Sequence, residues 1–104
     1  MAQIIIKYNL KADVTPEQYE QWTLNRDYPT MRGLARVKRF TNHRILRNLL
    51  SDATPSVQYV EMFDIPDLDG FLSEDMAGSV VQTIMGEFMQ YVDNPEFLVA
   101  EEII

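Results

Sequence analysis

Cysteine is absent from the chain, which rules out disulfide scaffolds, thiolate nucleophiles and cysteine-ligated zinc. A reducing compartment suits such a sequence, and the cytoplasm is the expected one. Histidine occurs once, at His43, so a metal site needing two histidines cannot be assembled within one copy. The four glycines form neither a phosphate loop nor a dinucleotide fingerprint. Neither a metal nor a cofactor is therefore expected. No stretch of about 18 apolar residues occurs, and the start of the sequence has no basic segment leading into a long apolar one, so neither membrane spanning nor export is expected. Basic residues are missing from the whole second half: beyond Ser51 there are twelve acids and no lysine or arginine.

What is present is an ordinary globular composition, 46% hydrophobic and 24% charged over 104 residues, enough for one core and one domain spanning 1–104. The net charge of −7 argues against a nucleic-acid footprint. Seven of the nine basic residues lie between Arg26 and Arg47, so the two halves are electrostatic complements. That segment either meets acidic surface within the monomer or across a dimer, or lines a pocket for a carboxylate or phosphate.

Gln3 to Leu10 reads as a strand, with Ile4, Ile6 and Tyr8 on one face and Ile5, Lys7 and Asn9 on the other. Thr15-Pro16-Glu17-Gln18 is a capping box with proline at the first helical position, and Val14 and Tyr19 stand where a hydrophobic staple would form. The helix so started is expected to stop at Pro29. Val37 to Leu46 and Val57 to Ile65 follow as a β-hairpin, then a short helical piece from Pro66. A longer helix follows Gly78-Ser79, with Val81, Ile84, Met85, Phe88 and Val92 at helical spacing. Pro95 is expected to close that region and Glu96 to Ile104 to form a last strand; Gly86 is read as a point of close packing. The order β-α-β-β-α-β is the split βαβ pattern of an α+β, ferredoxin-like domain. Helices then cover one sheet face, and apolar residues of both parities in the first strand call for a second copy on the other, hence a homodimer.

Four groups of residues carry candidate chemistry. His43 shares a strand face with Arg39 and Thr41 and suits a general base, or else a structural hydrogen bond. Tyr8, Asn9, Trp22, Tyr59 and Glu61 are expected around a cleft between sheet and helices. There an aromatic wall with a few polar groups fits a flat conjugated ligand, and a buried Glu61 would become an acid or base. The plainer reading is aromatic core and a Glu61 paired with Arg39 or Arg44. Asp27-Tyr28-Pro29-Thr30-Met31-Arg32-Gly33-Leu34 reads as a polar-aromatic loop at the cleft's rim, with Arg32 to clamp a carboxylate and Asp27 or Tyr28 to exchange protons, unless Pro29 and Gly33 merely shape a turn. Asp64, Asp67, Asp69 and Gly70 hint at a calcium loop, but with Gly70 in sixth place Ile65 and Met76 fall on the first and twelfth positions, so the motif fails. Charges at a helix N-terminus explain these aspartates better.

The chain resembles the REDY-like HapK family associated with prodiginine pigment biosynthesis. The match rests on Gln3 to Leu10, on Asp27 to Leu34 with Val37-Lys38-Arg39-Phe40, on Tyr59-Val60-Glu61 through Asp64-Ile65-Pro66-Asp67-Leu68-Asp69, and on Gly86-Glu87-Phe88-Met89 through Asn94-Pro95-Glu96-Phe97. The resemblance implies a dimeric α/β barrel and a role in the branch that makes the methoxy-bipyrrole carbaldehyde; it supplies no established catalytic residues. The expected function is binding of a pyrrolic intermediate in the sheet-helix cleft, with assistance to its cyclisation or oxidation by Arg32, Tyr28, His43, Tyr59 and Glu61. Two alternatives stand beside it: a non-catalytic, chaperone-like partner of another pathway enzyme, and a cofactor-free monooxygenase.

Overall fold

A computed structural model describes residues 2–104; Met1, the first residue of the expected 1–104 domain, lies outside them. Strand β1 (Ala2–Leu10) leads into helix α1 (Pro16–Trp22), and a helical turn at Tyr28–Arg32 forms α2. Strands β2 (Arg39–Arg44) and β3 (Tyr59–Asp64) make the hairpin. A short turn α3 (Leu68–Gly70), helix α4 (Ser79–Tyr91) and strand β4 (Val92–Glu101) complete the chain. The sheet order is β2-β3-β1-β4, antiparallel throughout, as the ferredoxin-like pattern requires. No helix among the described residues is long and apolar enough to cross a membrane.

The alternation in β1 is obeyed. Ile6, Tyr8 and Leu10 are buried beneath the helices, whereas Ile5, Lys7 and Asn9 face the uncovered side. The first helix begins as its sequence dictates: the Thr15 hydroxyl accepts from the Gln18 N–H at 3.2 Å, and the Gln18 side chain accepts from the Thr15 N–H at 2.9 Å. A cap of this kind stabilises a helix by about 1 kcal/mol. Val14 packs against the core that contains Tyr19.

Two expectations based on proline are corrected. Pro29 does not stop the first helix; the chain passes through a π-helical turn, Thr23–Asp27, into α2 with Pro29 in its first turn. Proline lacks the N–H that the preceding turn would use and its ring presses on the carbonyl four residues back. Widening the turn by one residue, so that the Tyr28 N–H bonds to the Thr23 carbonyl, relieves both problems. Asp27 to Leu34 is therefore helical as far as Arg32 instead of a loop. Pro95 likewise does not end α4, which closes at Tyr91; it sits within β4. The register with β1 shifts between Lys7 and Asn9, making a bulge around Asn94, whose φ is 49°. On an edge strand, a bulge needs no ladder N–H from Pro95.

The basic segment meets acidic surface within the monomer: Arg26 pairs with Glu87 at 2.6 Å, Arg36 with Asp67, Glu74 and Asp75, and Arg44 with Glu20. Asp67 also caps α3, its carboxylate accepting from the Gly70 N–H at 3.0 Å, in keeping with the reading of these aspartates as helix-terminal charges. Gly86 marks no close packing, since a Cβ there would meet open space.

Candidate active site

The π turn has a functional consequence. It rotates Asp27 away from solvent, leaving it 4% exposed beneath the sheet, where its Oδ2 has no hydrogen-bond partner among the described residues. Directly above, β3 points Glu61 inward by the same alternation that buries Tyr59 and Phe63, and Glu61 is 2% exposed. No lysine or arginine among the described residues pairs with it; Arg44, one candidate partner, is engaged by Glu20, and Arg39 lies on the opposite face of the sheet. Burial, followed by the neighbouring Asp27 charge, raises the Glu61 carboxyl well above the usual carboxylate range. Burial pushes Asp27 up to about 7. Two adjacent carboxyls in such surroundings hold one proton between them near neutral pH.

The Glu61 carboxylate is held from behind by phenols. The Tyr8 and Tyr19 hydroxyls lie 3.1 and 3.2 Å from its Oε1 and touch one another, so one phenol proton bridges the two oxygens and the other is donated to Glu61. Asn42, opposite Glu61 in the β2–β3 register, donates to Tyr19 at 3.0 Å, and its Oδ1 lies 3.2 Å from the Tyr8 hydroxyl. Burial raises both phenols far above their ordinary range, so they act here as neutral donors.

In front of the pair lies a cavity of about 400 Å³ between the sheet and α4. Its walls come from Ile4 and Ile6 of β1, Phe63 of β3, Phe97 and Val99 of β4, and Val81, Ile84 and Phe88 of α4. Four of the six methionines, Met31, Met76, Met85 and Met89, complete it. Asp27 and Glu61 are the only polar side chains lining it among the described residues. The volume lies in the range of small-molecule sites, and flexible thioethers let the walls adapt to a ligand's outline. A carboxyl pair at the end of an apolar hole can accept N–H donors and can give or take one proton.

A second, smaller hollow of about 230 Å³ opens on the other side of the tyrosines, lined by Glu20, Thr23, Leu24, Tyr28, Asn42, Arg44 and Tyr59. The Tyr59 hydroxyl donates to Glu20 Oε2 at 2.7 Å, and Arg44 forks onto the same carboxylate. The hydrogen bonds from Arg44 hold the Glu20 carboxyl below its ordinary range.

The sequence candidates thus divide. Asp27 and Glu61 meet in the inner cavity, with Tyr8 behind them. Tyr59 and Tyr28 belong to the outer cleft, where the Tyr28 hydroxyl accepts from the Asn42 N–H at 2.8 Å. Trp22 is core, its indole N–H donating to Glu87 at 2.9 Å. Arg32 is not free to clamp a ligand carboxylate: its Nε and Nη2 donate to the Phe40 carbonyl at 3.1 and 2.8 Å, and its guanidinium stacks 3.6 Å from the Tyr28 ring. Asn9 and His43 are corrected outright as cleft residues. Strand alternation turns both to the uncovered face, where Asn9 binds the Ser56 carbonyl at 3.0 Å and His43 Nε2 lies 2.9 Å from the Thr41 hydroxyl. Tyr19 and Asn42 were missed. The capping box that buries the Tyr19 side of α1, and the alternation that pairs Asn42 with Phe40, were the available signals.

Sheet, covering helices and enclosed carboxyls define a ferredoxin-like α+β protein with a ligand-sized cavity. The chain belongs to the REDY-like HapK family, whose model matches residues 2–103. It is similar to the crystal structure of HapK from Hahella chejuensis, with 31% identity, 99% of this chain and 93% of that one covered, and a TM-score of 0.79. Its fold is shared at 15% identity by a hydroxynitrile lyase from Passiflora edulis (99% and 95% covered, TM-score 0.79). It is also shared at 14% by a dimeric ferredoxin-like protein of unknown function from Thermobifida fusca (97% and 90% covered, TM-score 0.75). The curated proteins yield no match.

Proposed function

We propose that this protein binds a pyrrolic or bipyrrolic intermediate of a prodigiosin-type pigment pathway in the inner cavity and exchanges a proton with it through Asp27 and Glu61. The observation that carries the reading is the cavity of about 400 Å³ whose only polar liners among the described residues are that carboxyl pair. Pyrrole rings are flat, apolar and carry N–H donors, so the rings match the Ile, Phe and Met walls while the N–H groups find the carboxylate oxygens. In a cyclisation, the protonated member of the pair would deliver its proton to a carbonyl oxygen as the ionised member takes one from the ring. His43 has no part in this mechanism, because it stands on the other face of the sheet. Family membership supports the pathway, and the geometry supports the ligand class.

The test is a titration with a bipyrrole aldehyde, following Trp22 fluorescence and ligand absorbance together. Saturable binding with a changed ligand spectrum is expected, with the spectral change lost in Glu61→Gln and Asp27→Asn. Binding with an unchanged spectrum would make the protein a carrier; no binding would remove the reading and favour a partner-protein role. We also propose a homodimer through the uncovered sheet face, where Thr41, Met62, Ile5 and Leu98 stand in one row across the four strands. A monomer mass in sedimentation equilibrium at micromolar concentration would sink that proposal.

A further inference from the structure

Glu61 is bound asymmetrically. Its Oε1 is reached by two phenol hydroxyls, Tyr8 at 3.1 Å from β1 and Tyr19 at 3.2 Å from α1. Those phenols are bracketed by Asn42 of β2, whose amide nitrogen donates to Tyr19 at 3.0 Å and whose oxygen lies 3.2 Å from the Tyr8 hydroxyl. Neither tyrosine has any exposed surface. Asp27 lines the cavity with Glu61, its own Oδ2 unpartnered among the described residues. The remaining charged group bearing on the pair is Glu87 of α4, which is neutralised by Arg26 at 2.6 Å and by the Trp22 N–H.

We infer that Tyr8, Tyr19 and Asn42 are positioning residues that hold Glu61 by Oε1 alone and so confine the proton it shares with Asp27 to the side of the pair facing the cavity. A proton placed on Oε1 would compete with the phenols for that oxygen and turn them onto weaker acceptors, the Asn42 amide oxygen or one another. The cradle thereby directs exchange with a ligand to the cavity that Asp27 and Glu61 line, away from the back wall. Donors aimed at the ionised form also favour it, so the two phenols counter part of the rise that burial imposes on Glu61. The inference rests on the carboxyl pair being the working group of the cavity, but its test needs no ligand.

Infrared spectroscopy of the free protein, following the carbonyl stretch of protonated carboxyl groups against pH and assigned by its change in Asp27→Asn, reads the pair directly. Replacing both phenols, Tyr8→Phe with Tyr19→Phe, is expected to move the titration midpoint up by about one pH unit, and each single replacement by part of that. Tyr59→Phe, which removes the hydroxyl that serves Glu20 instead, is expected to leave the midpoint in place. A midpoint unmoved in the folded single or double variants would overturn the inference, as would an equal shift in Tyr59→Phe. Should the double variant fail to fold, the single variants decide. A protein that binds no bipyrrole yet shows the expected shifts would lose its proposed function and keep the cradle.

Discussion

The inner cavity and the outer cleft each hold one glutamate, and the two could hardly be less alike. Glu20 of α1 is clasped by Arg44 and Tyr59, faces water and is held ionised. Glu61, a few ångströms of tyrosine away, faces Ile, Phe and Met, and its nearest charged neighbour is another acid. The outer arrangement is the one a folded protein settles into when a carboxylate has only to be tolerated; exposed ion pairs of that kind contribute little. The inner one is unfavourable by itself, since two acids without a cation must hold a proton that either would release in water. Such an arrangement stores reactivity at the expense of stability, which is the usual sign of a working group.

Removing a wall of the inner cavity should produce the largest effect. Phe88→Ala takes away a ring that is 5% exposed and edge-on to Tyr8 at 5.0 Å, and is expected to lower stability by about 3–5 kcal/mol, read as a reduced urea midpoint. Next comes the inner acid. Asp27 titrates at about 7 in the folded protein, because burial disfavours its charge, against about 3.9 in an unfolded chain. Between those values the unfolded chain has lost a proton that the folded one keeps, so Asp27 makes stability fall as pH rises from about 4 to 7. Asp27→Asn is therefore expected to stabilise the protein at pH 8 by roughly 2 kcal/mol or more and by far less at pH 4, measured by thermal unfolding at the two values. An equal gain at both would mean that the inner carboxyl is not protonated as described. The smallest effect belongs to the outer acid. The lowered titration of Glu20 contributes stability above about pH 4 that disappears as pH falls through its folded value, and Glu20→Gln should shift the melting temperature at pH 7 by no more than about 5 °C. A larger loss would erase the contrast between the two sites.

The sequence made the architecture readable because each element carried its own local signal. Thr15 and Gln18 capped α1, Ile4, Ile6 and Tyr8 alternated with Ile5, Lys7 and Asn9, and Val81, Ile84 and Phe88 kept helical spacing. The sequence also brought out Glu61, Asp27 and Tyr8 as residues of interest. It could not bring them together, since their meeting depends on the pairing of Asn42 with Glu61 across a hairpin and on how the first helix absorbs Pro29. Reading Pro29 as a stop made Asp27 a rim residue when it is an interior one. His43 drew notice as the lone imidazole, yet the alternation that puts it beside Thr41 also keeps it from the cavity. The apolar residues of α4 look the same in sequence whether they fill a core or surround a hole; only the shape of the packed domain tells these apart.

A π turn is an α-helix with one residue too many. Counted that way, the stretch Thr23–Asp27 is the equivalent of a single-residue insertion held inside a continuous helix. One residue of helix is a rotation of about 100°. That surplus residue turns a carboxylate that an unbroken α-helix would present elsewhere on its circumference toward Glu61. The chemistry available to the cavity is thus set by a counting irregularity immediately ahead of a proline-containing turn.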